Sequence, residues 1–384
     1  MKRLIYVDNA ATTKVSTQVF ESMIPFLENN FGNPSSLYSL GKDAKAVIEK
    51  SRKIIADCIN SRPEEIFFTS CGTESDNWAL KSSVKLGKPG HIITSQIEHH
   101  AILESAHFLE RNDITVSYLK PDKFGIVQPE TLEKEIKSDT NLVSIMMSNN
   151  EIGSIQPIEE FATICKKNNV KFHTDAVQSV GHINVDVQKL GVDMLSASAH
   201  KFNGPKGIGF LYVKKGTNLP SFIHGGAQES RKRAGTENVA SIVGMAKALE
   251  IATQNLESNK KHLESLQNIL IGNVLKIPET ILTGHPTLRT PGTASFCFKG
   301  IEGESLLLNL DVYGICASSG SACVSGSLDP SHVLLSIGLP HEIAHGSLRI
   351  TLGYENTKDD VDYIISVLPS IVEKLRFMSP VWNK

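Results

Sequence analysis

The sequence lacks a CxxC pair, and its six cysteines at 58, 71, 165, 297, 316 and 323 show no zinc-type spacing. They read as free thiols in a reducing compartment rather than as a disulfide framework. No Walker A sequence occurs, and "GPKGIG" fails the dinucleotide-binding GxGxxG spacing. No apolar run is long enough to span a bilayer. The start, "MKRLIYVDNAATT", offers only four apolar residues in a row before Asp8. That is too short for a signal-peptide core, so the expected compartment is the cytosol. Net charge is only -2, with 39 basic against 41 acidic residues. This near-balance supplies no electrostatic case for nucleic acid or an anionic membrane as partner.

What is present is an ordinary globular composition, with 40% hydrophobic and 21% charged residues over 384 positions. That length is ample for two domains, or for a large domain with a smaller lobe. From about residue 64, strand-like and helix-like segments alternate. "EEIFFTS", "HIITSQI", "NLVSIMM", "VKFHTDA", "VDMLSAS" and "GIGFLYV" read as short apolar strands separated by amphipathic helices. This pattern predicts a largely parallel, doubly wound α/β sheet, with ligands beyond the carboxyl ends of its strands. One long helix is expected from about Val239, with a domain boundary inside it near residue 255. Further strands and helices follow, and the first dozen or so residues are expected to return to the C-terminal lobe.

Small and polar residues crowd the expected strand ends. In "SCGTES", Gly72 and Thr73 precede a helix, a setting that suits an anion, although an ordinary N-cap has the same composition. "HTDAVQ" ends an apolar strand at Asp175, with Gln178 close behind. A carboxylate there needs a partner: a protonated heterocyclic nitrogen, or the start of the next helix. "SASAHKFNGPKGIG" places Ser198, His200 and Lys201 before a Gly/Pro turn. A lysine in such a cluster suits attack on a carbonyl; alone, it would be a solvated loop residue. His99 of "IEHHA" has a flat ring suited to stacking or proton shuttling, whereas His100 reads as a solvated helix start. Asn149 and Asn150 suit either a ring substituent or a turn. Arg231, Arg233 and Thr236 lie in "RKRAGTEN", and Arg349 lies within the apolar "SLRITLG". A buried Arg349 requires an anion, either a substrate carboxylate or an internal ion pair.

"HEIAH" at 341–345 matches the H-E-x-x-H zinc signature. Pro340 and Gly346 bracket it, which leaves little room for a continuous helix, and no histidine follows as a third ligand, which leaves Glu355, Asp359 or Asp360 for that place. It is set aside on those grounds. "ASSGSACVSGS", residues 317–327, surrounds Cys323 with serine, glycine and alanine, and reads as a mobile loop. A structural cysteine usually has large apolar neighbours.

"YVDNAATT", "NFGNPSS", "TSCGTESDN", "EHHA", "NNEIG", "HTDAVQSVG", "SASAHKFNGPKGIG", "HGGAQE", "RAGTEN", "SSGSAC" and "LRITLG" occur in that order. Together they resemble the cysteine desulfurases of the NifS/IscS type, over nearly the whole chain. The resemblance implies the aspartate-aminotransferase-like fold of pyridoxal 5'-phosphate (PLP) enzymes. A large PLP-binding domain with a mainly parallel seven-stranded sheet would span residues 15–255. A smaller α+β domain, residues 1–14 and 256–384, would carry the cysteine loop. Lys201 would hold PLP covalently, Asp175 would face its ring nitrogen, and Gln178 its ring oxygen. His99 would stack on the ring and assist proton transfer. Gly72, Thr73, Ser198 and His200 would bind the phosphate, with Thr236 reaching it from the other subunit of a homodimer. Asn150 and Arg349 would hold the substrate carboxylate, with Asn33 close by. Cys323 would be the nucleophile that takes sulfur from L-cysteine as a persulfide, leaving L-alanine. The sulfur would serve iron–sulfur cluster assembly, through a scaffold protein, or tRNA thiolation. Selenocysteine lyase or another PLP-dependent β-eliminating enzyme is the alternative. A thiolate is also the usual ligand of an iron–sulfur cluster, so Cys323 is a candidate ligand to a transient [2Fe-2S] cluster.

Overall fold

The computed structural model describes residues 4–320, 330–380 and 382. Among the described residues, twelve strands in chain order, β1 to β12, form three sheets. The large sheet comprises β2 (Ile66–Thr69), β3 (Gly90–Ser95), β4 (Ile114–Leu119), β5 (Thr140–Ser144), β6 (Lys171–Asp175), β7 (Met194–Ser198) and β8 (Gly209–Val213). Their order is β2-β8-β7-β6-β5-β3-β4. Only β8 runs antiparallel to its neighbours, and the rest of the sheet is parallel. Six of these strands are those expected. The seventh, β4, lies at the sheet edge, where only its two end residues are buried. A strand so lightly buried carries a weak apolar signal.

The parallel strands are buried on both faces, so they read as continuous apolar runs. Their core joins Ile93, Val143, Phe172, Leu195 and Phe210 to the covering helices. The expected long helix is two helices, Val239–Gln254 and Leu256–Val274, which meet at Asn255 in a non-helical conformation. The first packs Ile242, Met245 and Leu249 into the large core. The second gives Leu263, Leu266 and Leu270 to a separate core. The break lets one amphipathic stretch serve two cores.

The second core contains β9 (Thr280–Thr283), β10 (Thr293–Phe298) and β12 (Ser347–Thr351) in an antiparallel sheet. Helices Gly303–Val312 and Lys358–Met378 cover it. The chain start joins this unit: β1 (Ile5–Tyr6) pairs in parallel with β11 (Ile315–Cys316), and Ile5 and Val7 enter its core. Among the described residues, no helix is long and apolar enough to cross a membrane.

Candidate active site

A cavity of about 280 Å³ opens at the carboxyl edge of the parallel strands. Gly72 and Thr73 follow β2, His99 follows β3, and Met146 and Asn150 follow β5. Asp175 and Gln178 come from the end of β6, and Ser198, His200 and Lys201 from the end of β7. Ala10 and Ala11 approach from the chain start, and Arg349 from β12. The parallel sheet thus delivers side chains far apart in sequence to one edge.

Lys201 Nζ donates to the carbonyls of Ala10 at 2.5 Å and Ala11 at 2.8 Å. Gln178 Nε2 donates to the same Ala10 carbonyl at 3.0 Å. Thr13 is tied to the lysine turn: its N–H and hydroxyl both donate to the His200 carbonyl at 2.8 Å. The "AATT" stretch is therefore a strap across the lysine turn, a role with no side-chain signature in the sequence.

Gly72 opens the helix Gly72–Ser83, and its N-cap, Cys71, makes no side-chain capping bond. The first amides of that helix are thus available to an anion. A Cβ on Gly72 would lie 2.7 Å from Val177 Cγ2, so this wall admits only glycine without displacement. Ser198 Oγ beside it is buried and lacks a hydrogen-bond partner among the described residues.

Asp175 is buried and accepts from the Val177 amide at 2.9 Å. Burial raises its pKa to about 6, partly offset by that amide and by Lys201. His99 caps the helix His100–Glu110, its Nδ1 accepting from the Ala101 amide at 3.1 Å. Burial, with Lys201 adding to it, pushes the imidazole pKa down to about 4. The ring is therefore neutral at pH 7, with its proton on Nε2. His200 is likewise pushed down to about 4, by burial and then Lys201.

Arg349 is buried in β12, where Nη2 meets Asp8 Oδ1 at 2.8 Å and Nη1 donates to the Asn150 carbonyl at 2.9 Å. Its Nε is buried without a partner among the described residues. Of the two sequence readings of Arg349, the structure shows the internal ion pair, and it places the residue on the cavity wall.

Asn33 and Thr236 are exposed and lie outside the cavity wall. His100 stands 4.9 Å, ring to ring, from His332. Cys323 and the central part of its loop lie outside the described residues. Sequence reasoning missed Ala10, Ala11, Cys71, Asp76, Met146 and Val177 on the wall, and Asp8 behind it. Asp8 and Asp76 stand in the quoted stretches "YVDNAATT" and "TSCGTESDN", but nothing local marks them as facing a site. The "HEIAH" segment forms a helix of only four residues, His341–Ala344. Among the described residues, no group of three His, Cys, Asp or Glu side chains could hold a metal ion.

The sequence matches the family Aminotransferase class-V over residues 5–364. The chain belongs to the class-V aminotransferase family. It is 53% identical over 384 residues to "Cysteine desulfurase IscS" of Methanosarcina thermophila, covering all of this chain and 95% of that one. It is 51% identical to the protein of the same name from Dictyoglomus turgidum, covering 99% and 97%. A solved structure named "NIFS-LIKE PROTEIN" superposes with a TM-score of 0.91 at 41% identity, covering 98% of this chain and 100% of that one. The NifS-like protein from Rickettsia africae gives 0.88 at 34%, covering 97% and 100%. Enzymes of this family carry PLP, and the residues present fit it. A buried carboxyl suits the ring nitrogen, and a lysine amine suits the aldehyde. The uncapped helix start, glycine wall and orphaned Ser198 hydroxyl suit a phosphate.

Proposed function

We propose that this class-V enzyme is a cysteine desulfurase that removes sulfur from L-cysteine, releases L-alanine and holds the sulfur as a persulfide on Cys323. The observation that carries the reading is one cavity lined by Lys201, Asp175, His99, Ser198 and Gly72. It occurs in a chain that matches proteins named cysteine desulfurase along its whole length.

Lys201 would hold PLP covalently, with Asp175 as the carboxylate at the ring nitrogen and Gln178 at the ring oxygen. His99, neutral and fixed by its capping bond, would stack on the ring. Gly72, Thr73, Ser198 and His200 would take the phosphate, and Thr236 would reach it from the second subunit of a homodimer. Bound PLP supplies an electron sink for the substrate's carbon framework. Lys201 would move protons between substrate carbons. Arg349, held by Asp8, would offer a donor to the substrate carboxylate together with Asn150, with Asn33 nearby. Cys323 would attack the substrate sulfur as thiolate; an unperturbed thiol has a pKa of about 8.5, so a base must assist. The sulfur would pass to a scaffold protein for iron–sulfur assembly or to tRNA thiolation, in the cytoplasm. Cys323 would also suit ligation of a [2Fe-2S] cluster as cargo.

Mass spectrometry after treatment with L-cysteine tests the reading. One added sulfur on Cys323, with alanine released in step, is expected. A Cys323→Ala variant with full desulfurase turnover would sink the mechanism.

A further inference from the structure

Asp76 is a second carboxyl on the wall that holds Asp175. It sits one turn into the helix Gly72–Ser83 and is only 1% exposed. Its Oδ1 is buried without a hydrogen-bond partner among the described residues. The nearest basic nitrogen, His173 Nε2, is 3.8 Å away and is engaged with Ser196 Oγ at 2.9 Å. The other ring nitrogen of His173 meets Ser144 Oγ at 2.8 Å. Among the described residues, Asp76 therefore has no cation to balance a charge: the imidazole beside it is buried and pushed down to about 3, so it stays neutral.

We infer that Asp76 is a positioning residue for Asp175, a buried carboxyl that stays neutral so that Asp175 is the charged carboxylate of the shared cavity. This inference rests on the PLP reading for its purpose, though not for its test. Like charges close together in a desolvated site cannot both ionise cheaply, so one carboxyl retains a proton. Asp175 has an amide donor and feels Lys201. Asp76 has burial and the field of Asp175 against it, with Ser196 as a partial offset, and is raised well above the usual carboxylate range. The other groups acting on it are Glu98, after β3, and Cys71, at its own helix start. Lys201 and Arg349 are the cations on the cavity wall. Removing the proton from Asp76 would place two negative charges on one cavity wall and draw Asp175 toward its neutral form.

The test compares full-length wild type with Asp76→Asn, an uncharged isostere, in stability against pH. In the unfolded chain Asp76 ionises near pH 3.9, whereas in the folded protein it keeps its proton. Folded protein then binds the extra proton, so wild-type stability falls relative to the variant as pH rises. Between about pH 5 and the Asp76 midpoint, the folding constant of wild type is expected to fall about tenfold per pH unit relative to Asp76→Asn. A gap independent of pH overturns the inference. Asp76→Ser, which also removes the titration, gives the same slope should the amide not fit. With PLP bound, Asp76→Asn is expected to keep the cofactor affinity within about threefold, while Asp175→Asn loses about a hundredfold or more. Equal losses would overturn the division of roles. Wild type that binds no PLP would defeat the functional reading instead, and the pH slope would still decide the state of Asp76.

Discussion

The buried Arg349 and the half-buried Asp8 form an ion pair at 2.8 Å across 341 positions of sequence. Asp8 holds the guanidinium from one side, and Ser318 Oγ donates to the other Asp8 oxygen at 2.8 Å. Removing Asp8 leaves a buried, uncompensated cation, at a cost of about 3–5 kcal/mol. Asp8→Ala is therefore expected to lower Tm and to raise KM for L-cysteine about tenfold or more, with a smaller change in kcat. Steady-state kinetics on the folded fraction checks this, and an unchanged KM would detach Arg349 from the substrate.

Lys201 is the wall residue whose amine suits covalent capture of the cofactor aldehyde. Lys201→Ala is expected to lose desulfurase turnover by at least about a thousandfold. Borohydride treatment and intact-mass measurement should attach cofactor to wild type and not to the variant.

Gly72 leaves no room for a side chain against Val177. Gly72→Ala is expected to weaken PLP binding about tenfold and to cost about 1–3 kcal/mol of stability through overpacking. Titration of apoprotein with PLP measures the first effect. Adding Val177→Ala should restore much of the affinity, because it removes the methyl that the new Cβ would strike.

His99 supplies a pH signature on the acid side. Its pKa is lowered to about 4 in the folded protein against about 6.5 in the unfolded chain. The unfolded state binds the proton first, so this contribution is present above about pH 6.5 and is lost as pH falls toward 4. Asn is also a good N-cap, so His99→Asn keeps the start of the helix. The Tm of His99→Asn relative to wild type should therefore rise as pH drops from about 6.5 to 4. Turnover should fall at all pH values, because the ring proposed to stack on the cofactor is gone.

The histidines of "HEIAH" stand 4.6 Å apart, ring to ring, on a helix too short for a zinc-protease site. Metal analysis of the purified protein should find no stoichiometric zinc, and His341→Ala should leave turnover unchanged.

Much of the sheet was legible because its inner strands are apolar on both faces, and turn residues mark their ends. The sheet edge was harder to read, since β4 shows so little burial. At the site, the positions of Lys201, Asp175, His99 and Gly72 were legible because each follows an apolar strand, whereas the local context left each with a plain structural alternative to its proposed role. Asp8 was not, because its meaning depends on Arg349 at the far end of the chain. The carbonyls of Ala10 and Ala11 were invisible for another reason: every residue has a carbonyl, and only the fold decides which ones meet Lys201. Asp76 looked like any polar residue in the first turn of a helix. Its burial comes from the sheet beneath, which a reading of local pattern does not include.

The pairing of the chain start with β11 and β12 has a consequence for synthesis. The strands of the large sheet all lie before residue 214, so they leave the ribosome early. Asp8 must wait for Arg349, and β1 for β11, before either has its partner. Such distant contacts pay their loop-closure entropy late. In a nascent chain the strand ends that carry Asp175 and Lys201 therefore precede Arg349, and the chain start that contacts both Lys201 and Arg349 is fixed in place only once the later strands arrive.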